Sequence, residues 1–138
     1  MWEEFQRKNL TNFVREASKL VRKMGLKLSA YVWTATSRYI VYQDWPLWTR
    51  MGLLDFVIPT GYVYSLDSFK KIALDTLTIA GDVPAYICIG VRTSHGFIEK
   101  SGDLVDYILL TKRIGLKGYV FFTLSSLLPF LDKIADYL

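Results

Sequence analysis

Residues 43–64, QDWPLWTRMGLLDFVIPTGYVY, connect an aromatic loop to a short apolar run that ends at Pro-Thr-Gly. The run centres on Phe56–Ile58, and apolar and polar residues do not alternate along it. This is typical of a strand buried on both faces. Before it, Asp44 is placed to cap a short helix with Pro46 in its first turn, and Gly52 is placed to end that helix. The stretch therefore predicts the order loop, helix, strand, loop.

The rest of the chain repeats this alternation of helix and buried strand. An amphipathic helix is predicted over residues 9–24, because apolar residues recur three and four positions apart. Its predicted inward side consists of Leu10, Phe13, Val14, Ala17, Leu20, Val21 and Met24. Further strands are predicted at 26–33, 85–91 and 118–123, and a polar loop at 92–101. Further helices are predicted from residue 66 or 68 to 80, from about 102 to 114, and from 125 or 126 to 138.

One leading helix followed by four strand–helix units predicts an all-parallel α/β fold in a single domain over residues 1–138. Two layouts satisfy this order. Four βα units can form an arc of a TIM-type (β/α)8 barrel, a half barrel, or they can form a three-layer doubly wound sheet. A complete barrel takes about 250 residues and eight units, so the half barrel is the preferred prediction.

Composition excludes several classes of function. The net charge is only +4 and the basic residues are spread along the chain, so no nucleic-acid surface is predicted. Cys88 is the only cysteine and His95 the only histidine, which excludes an intrachain disulfide and predicts neither a metal site nor a cofactor.

The sequence predicts neither a signal peptide nor a membrane span, and its cellular location stays unknown. The first ten residues carry acids and no apolar core. The longest uncharged run, residues 118–131, is shorter than the roughly 18 residues that a span requires. The chain has only two asparagines and two glutamines, which is consistent with a thermophilic source.

The spacing of residues 45–62 resembles a segment of the glycosyl hydrolase-like family ten barrels. That segment has the pattern W..W...G..D...P..Y, which is met here by Trp45, Trp48, Gly52, Asp55, Pro59 and Tyr62. Residues 2–24 resemble the helix before the fifth strand of those barrels, and residues 113–127 resemble the eighth strand and its approach. The resemblance covers nearly all of this chain and the C-terminal half of the family's catalytic domain. One departure is Thr60, where relatives usually have Met or Gln.

The resemblance implies that the chain binds or hydrolyses a carbohydrate at the C-terminal ends of its strands. Glycosidases use two carboxyl groups, and only Asp44 and Glu99 lie in loops that leave strands at this end. They are the candidate catalytic pair, whereas Asp55 begins its strand and is predicted to be structural. No predicted strand ends in Asp or Glu, so whether the chain is an enzyme stays open, and it is not expected to carry a full catalytic set.

Aromatic side chains at strand ends are the candidate sugar-binding groups, because their flat faces pack on the C–H faces of sugars and Tyr and Trp add a polar tip. The predicted substrate-binding residues are Trp33, Trp45, Trp48, Tyr62, Tyr64, Arg92 and His95. A non-catalytic carbohydrate-binding or assembly module is the alternative. A third possibility is a flavodoxin-like nucleotide binder that uses the loop at residues 34–37.

A half barrel has an exposed apolar inner face and two open sheet edges. Two copies of the chain would cover both, so a homo-oligomer formed by half-barrel pairing is predicted. In the doubly wound alternative, the leading helix crosses to the inner face instead.

Overall fold

The computed structural model describes residues 1–138 and confirms an α/β fold with one four-stranded parallel sheet. The strands of this sheet are β1 (Ser29–Val32), β2 (Phe56–Gly61), β3 (Tyr86–Gly90) and β6 (Gly118–Phe122). A two-stranded antiparallel hairpin contains β4 (Arg92–Thr93) and β5 (Gly96–Phe97). The helices are α1 (Trp2–Lys23), α2 (Trp45–Arg50), α3 (Leu66–Ala80), α4 (Ser101–Ile114), α5 (Leu124–Leu127) and α6 (Leu131–Ile134). None of them is both long and apolar enough to cross a bilayer.

The strands lie in the order β1-β2-β3-β6, which is also their order along the chain. A doubly wound sheet requires a point where the strand order reverses. This sheet has no such point, and the doubly wound alternative is wrong for this reason.

The two faces of the sheet differ in burial. On one face, Val57, Ile87 and Ile89 are fully buried in the same core cluster as Phe69 of α3 and Leu104 of α4. Successive side chains of a strand point to opposite faces, so their sequence neighbours form the other face. There Phe56, Ile58 and Val120 are only partly buried, and Tyr31 and Phe122 are exposed.

Helix α1 packs through a different side from the predicted one. Thr11 and Ser18 are buried, and Leu10 and Val14 pack against the core. By contrast, Phe13 is 70% exposed, and Leu20 and Met24 are also exposed, so their predicted inward position is wrong. The helical period locates an apolar side, but α1 has apolar residues around much of its circumference, and its contact with α2 through Thr11 and Trp48 decides which side is buried.

The structure differs from the prediction at three further places, which involve prolines and short strands. Strand β2 continues through Pro59 to Gly61, although Pro59 has no N–H to donate. Its pairing with β3 is accordingly interrupted: Val57 N donates to Pro84 O at 3.1 Å, and regular pairing resumes at Thr60. The predicted polar loop 92–101 contains the β4–β5 hairpin, and the predicted last helix is broken into short turns around Pro129.

Asp55 ties the start of β2 to the residue before β1. Its Oδ2 accepts from Leu28 N at 2.7 Å, and its own N–H donates to Leu28 O at 2.8 Å. We expect Asp55→Ala to lower the free energy of unfolding by about 1–3 kcal/mol, because a partly buried donor loses its partner. Urea denaturation measures this loss.

Asp75→Ala is the matched control. The Asp75 carboxylate accepts from Lys71 on the exposed side of α3, at 2.8 Å. Pairs of this kind contribute about 0.3–0.5 kcal/mol. Equal losses in the two variants would contradict a structural role for Asp55.

Candidate functional site

A pocket of about 440 Å³ lies at the carboxyl ends of β1 and β2, beside the turn of the β4–β5 hairpin that follows β3. It brings together three of the predicted substrate-binding residues, Trp33, Tyr62 and His95. The remaining lining residues are Thr34, Thr36, Ser37, Thr60, Val63, Ile72 and Ser94. We call this the Trp33 pocket.

The backbone of Trp33 is held on both sides while its indole stays accessible. Gln43 Oε1 accepts from Trp33 N at 2.8 Å, and Trp45 Nε1 donates to Trp33 O at 3.0 Å. The Trp33 side chain is nevertheless 42% exposed. An aromatic ring on a fixed backbone loses little conformational entropy when a ligand packs on it.

Side chains with hydroxyl groups line the same pocket as Trp33. Thr34 Oγ1 contacts Ser37 Oγ at 3.0 Å and Thr36 Oγ1 at 3.1 Å, and it also accepts from Ser37 N at 3.2 Å. Across the pocket, His95 Nδ1 lies 3.3 Å from Ser94 Oγ. No Asp, Glu, Lys or Arg lines the Trp33 pocket. It therefore offers neutral donors and acceptors together with one accessible aromatic face.

Tyr62 joins the pocket to the exposed face of the sheet. Its hydroxyl is hydrogen-bonded to that of Tyr31, and its ring centroid lies 5.5 Å from that of Phe122. Burial raises the pKa of Tyr62 and of Tyr31 above the ordinary phenol value, and it also raises the pKa of the Cys88 thiol. At neutral pH these groups are uncharged, so Cys88 is not poised as a thiolate nucleophile.

Trp45 and Trp48 do not line a ligand surface, which corrects the prediction made for them. Trp45 is 0% exposed and Trp48 is 3% exposed, and both belong to the hydrophobic core. Trp48 Nε1 donates to Thr11 Oγ1 at 2.9 Å, so this indole connects α2 to α1. The short α2 turns both rings inward beneath the loop that carries Trp33.

Tyr64 and Arg92 lie outside the Trp33 pocket. Tyr64 hydroxyl contacts Thr93 Oγ1 at 2.8 Å and lines a neighbouring pocket of about 550 Å³, which His95 also lines. The Arg92 guanidinium lies over the Phe97 ring, 4.6 Å from its centroid. The predicted site is therefore divided between adjoining pockets.

The structure does not assemble Asp44 and Glu99 into a catalytic pair. Asp44 lines a groove along α1 together with Arg7 and Arg15, whereas Glu99 lines the pockets on either side of Phe97. Asp44 occupies the position before α2, but its side chain makes no capping hydrogen bond. Because the two acids line different pockets, the prediction that they act together is corrected.

No protein-family model matches this sequence, and no curated protein matches it. The resemblance to the glycosyl hydrolase-like barrels therefore depends on the motif residues alone. Two of those residues have clear structural roles, since Asp55 anchors β1 to β2 and Trp48 anchors α1.

Sequence reasoning did not predict Thr60 and Ser94 as site residues. Thr60 ends a buried apolar run with a hydroxyl, and Ser94 directly precedes the only histidine. A polar residue at the carboxyl end of a parallel strand is a signal that could have found Thr60. Ser94 lies in the turn between β4 and β5, and no local signal placed that hairpin beside Trp33.

Proposed function

We propose that the chain binds a neutral carbohydrate in the Trp33 pocket, and that its sheet is half of a (β/α)8-type barrel of the glycosyl hydrolase-like class. The sequential parallel strand order supports the barrel geometry. The position of the pocket at the carboxyl ends of the strands supports a binding site there, since barrel enzymes bind their substrates at this face.

The observation that carries the proposal is the exposed indole of Trp33 on a backbone held by Gln43 and Trp45. A sugar ring has an apolar face that packs on such a ring and hydroxyls that require donors and acceptors at its edge. The Thr and Ser hydroxyls supply both roles. The volume of about 440 Å³ lies within the usual range for small-molecule sites.

The lining of the pocket favours binding over hydrolysis. A glycosidase requires an acid and a base or nucleophile on either side of the scissile bond, and no carboxylate lines this pocket. A nucleotide fits less well, because the pocket has no Lys or Arg and no helix begins after Ser37 to hold a phosphate.

We expect Trp33→Ala to weaken the binding of a neutral oligosaccharide by about tenfold or more, since the variant loses about 1.5–3 kcal/mol of side-chain burial. Wild-type ligands are first found in a screen of neutral oligosaccharides, and affinities are then measured by isothermal titration calorimetry. Phe97→Ala is the matched control: Phe97 is similarly exposed but lies outside the pocket.

Two results would contradict the proposal. One is the absence of any neutral oligosaccharide that the wild-type chain binds. The other is a loss of affinity in Phe97→Ala with none in Trp33→Ala. Release of reducing ends during incubation would contradict the non-catalytic assignment specifically.

A further inference from the structure

Helix α1 and Met24, the residue after it, present a row of exposed apolar side chains to solvent, with the exposed polar residues Asn9 and Glu16 between them. We call it the α1 stripe, and it consists of Trp2, Phe5, Phe13, Leu20 and Met24, all exposed. At 100° per residue these side chains lie within about 100° of one another around the helix axis. They are on a different side from Thr11 and Ser18, which are buried. The helix therefore has one side packed against this domain and a second apolar side without a partner.

The sheet ends in two open edges. Strands β1 and β6 each have a neighbour on one side only, so backbone donors and acceptors on their outer sides have no strand partner. The α1 stripe precedes β1 in the chain. After β6, Leu124 and Leu128 are exposed, and we call these two residues the β6 rim.

The accessible surface of the chain is larger than its mass predicts. It is 8367 Å², whereas a compact monomer of this mass exposes about 7,400 Å². The excess of about 1,000 Å² is close to the roughly 800 Å² that each partner buries in a stable interface. The chain thus exposes about one interface more than a monomer of its size.

The two edges differ in net charge. Helix α1 carries six basic residues and three acidic ones, a net charge of +3. Residues 124–138 carry Asp132, Asp136 and Lys133, and Lys112 Nζ donates to Tyr137 O at 2.6 Å, so this segment and its basic contact have no net charge. A contact between α1 and the edge beside β6 therefore avoids the repulsion between like charges that α1 placed against α1 would create.

We propose that the partner is a second copy of this chain, with β1 of each copy beside β6 of the other. This arrangement repeats one contact twice around a twofold axis and closes eight parallel strands into a barrel. Closure removes both open edges. It also encloses the face that carries Tyr31, Ile58 and Phe122, and it brings the α1 stripe of one copy against the β6 rim of the other.

The first test is the solution mass of the wild-type chain by light scattering. We expect twice 15.9 kDa. We expect the double variant Phe13→Glu/Leu20→Glu to have the mass of a monomer. Because both side chains are exposed, we also expect this variant to keep the wild-type circular dichroism spectrum. The control is Leu74→Glu, which replaces an exposed leucine on α3, away from both edges, and is expected to stay dimeric.

The second test distinguishes the edge-to-edge contact from a contact between identical surfaces. Leu124→Glu/Leu128→Glu changes the β6 rim and is also expected to be monomeric. A mixture of the two double variants can form one contact between an unchanged α1 stripe and an unchanged β6 rim. We therefore expect the mixture to contain more dimer than either variant alone.

Three results would overturn the proposal. A wild-type chain that is monomeric, or that forms species larger than a dimer, excludes a closed pair. If the mixture of the two double variants contains no more dimer than either variant alone, and Leu124→Glu/Leu128→Glu is itself dimeric, then the dimer forms between two α1 stripes. Equal dissociation by Leu74→Glu shows that the effect is not specific to the edges.

Discussion

Trp45→Ala is expected to lower the free energy of unfolding by about 3–5 kcal/mol, the cost of removing a large aromatic side chain from a packed core. Trp45 is 0% exposed and lies in the main core cluster with Val32 and Leu54. Its Nε1 also donates to Trp33 O, so truncation removes a hydrogen bond to the loop of the candidate site. Guanidinium denaturation of the purified variant measures the loss.

Two variants separate the contributions of buried volume and of the hydrogen bond to the stability lost in Trp45→Ala. Trp45→Phe keeps most of the buried volume and removes the N–H, so we expect a loss of about 1–3 kcal/mol. Trp33→Ala removes a part-exposed indole and is expected to cost less stability than either Trp45 variant. If Trp45→Ala unfolds at the wild-type midpoint and only loses affinity for carbohydrate, Trp45 is not a core residue. It would then contact the ligand directly, as the sequence predicted.

Trp48→Ala is the second large effect, again about 3–5 kcal/mol in the free energy of unfolding. Trp48 is buried, and its Nε1 donates to Thr11 Oγ1 at 2.9 Å. This bond joins α2 to the middle of α1, whose outer side has no partner in the chain. We therefore expect hydrogen exchange in α1 to increase more in this variant than in Trp45→Ala.

A double-mutant cycle isolates the hydrogen bond between Trp48 and Thr11. Thr11→Val removes the acceptor with little change in volume, and we expect a coupling of about 0.5–1.5 kcal/mol with a Trp48 substitution. Thr78→Val, an exposed position on α3, is the control and is expected to show no coupling. A coupling of zero for Thr11 would contradict the role of this bond in holding α1.

The ends of α3 and α4 could be predicted because their signals are local, whereas α1 begins at Trp2 and not at the predicted residue 9. Helix α3 begins at Leu66, after Ser65, whose side chain accepts from Ser68 N, and it ends at Ala80 before Gly81. Helix α4 ends at Ile114 before Gly115, which has a positive φ of 92°. Capping residues and glycines act within one turn of the chain, so neighbouring residues suffice to locate them.

The candidate site could be predicted only in part. Trp33, Tyr62 and His95 follow three adjacent parallel strands, and the carboxyl ends of such strands meet at one edge of the sheet. Trp45 and Trp48 belong to the same aromatic stretch, but they lie on a helix of six residues that is too short for its buried side to be identified from periodicity.

The sequence by itself determined the alternation of helices and parallel strands, because apolar periodicity and capping are properties of neighbouring residues. Only the tertiary structure decided which aromatic rings reach solvent, which acids share a pocket and which side of α1 is buried. Those outcomes depend on contacts between distant residues, such as Thr11 with Trp48 and Leu28 with Asp55. A residue pattern defines an apolar surface, but the partner that covers it is set by packing between elements.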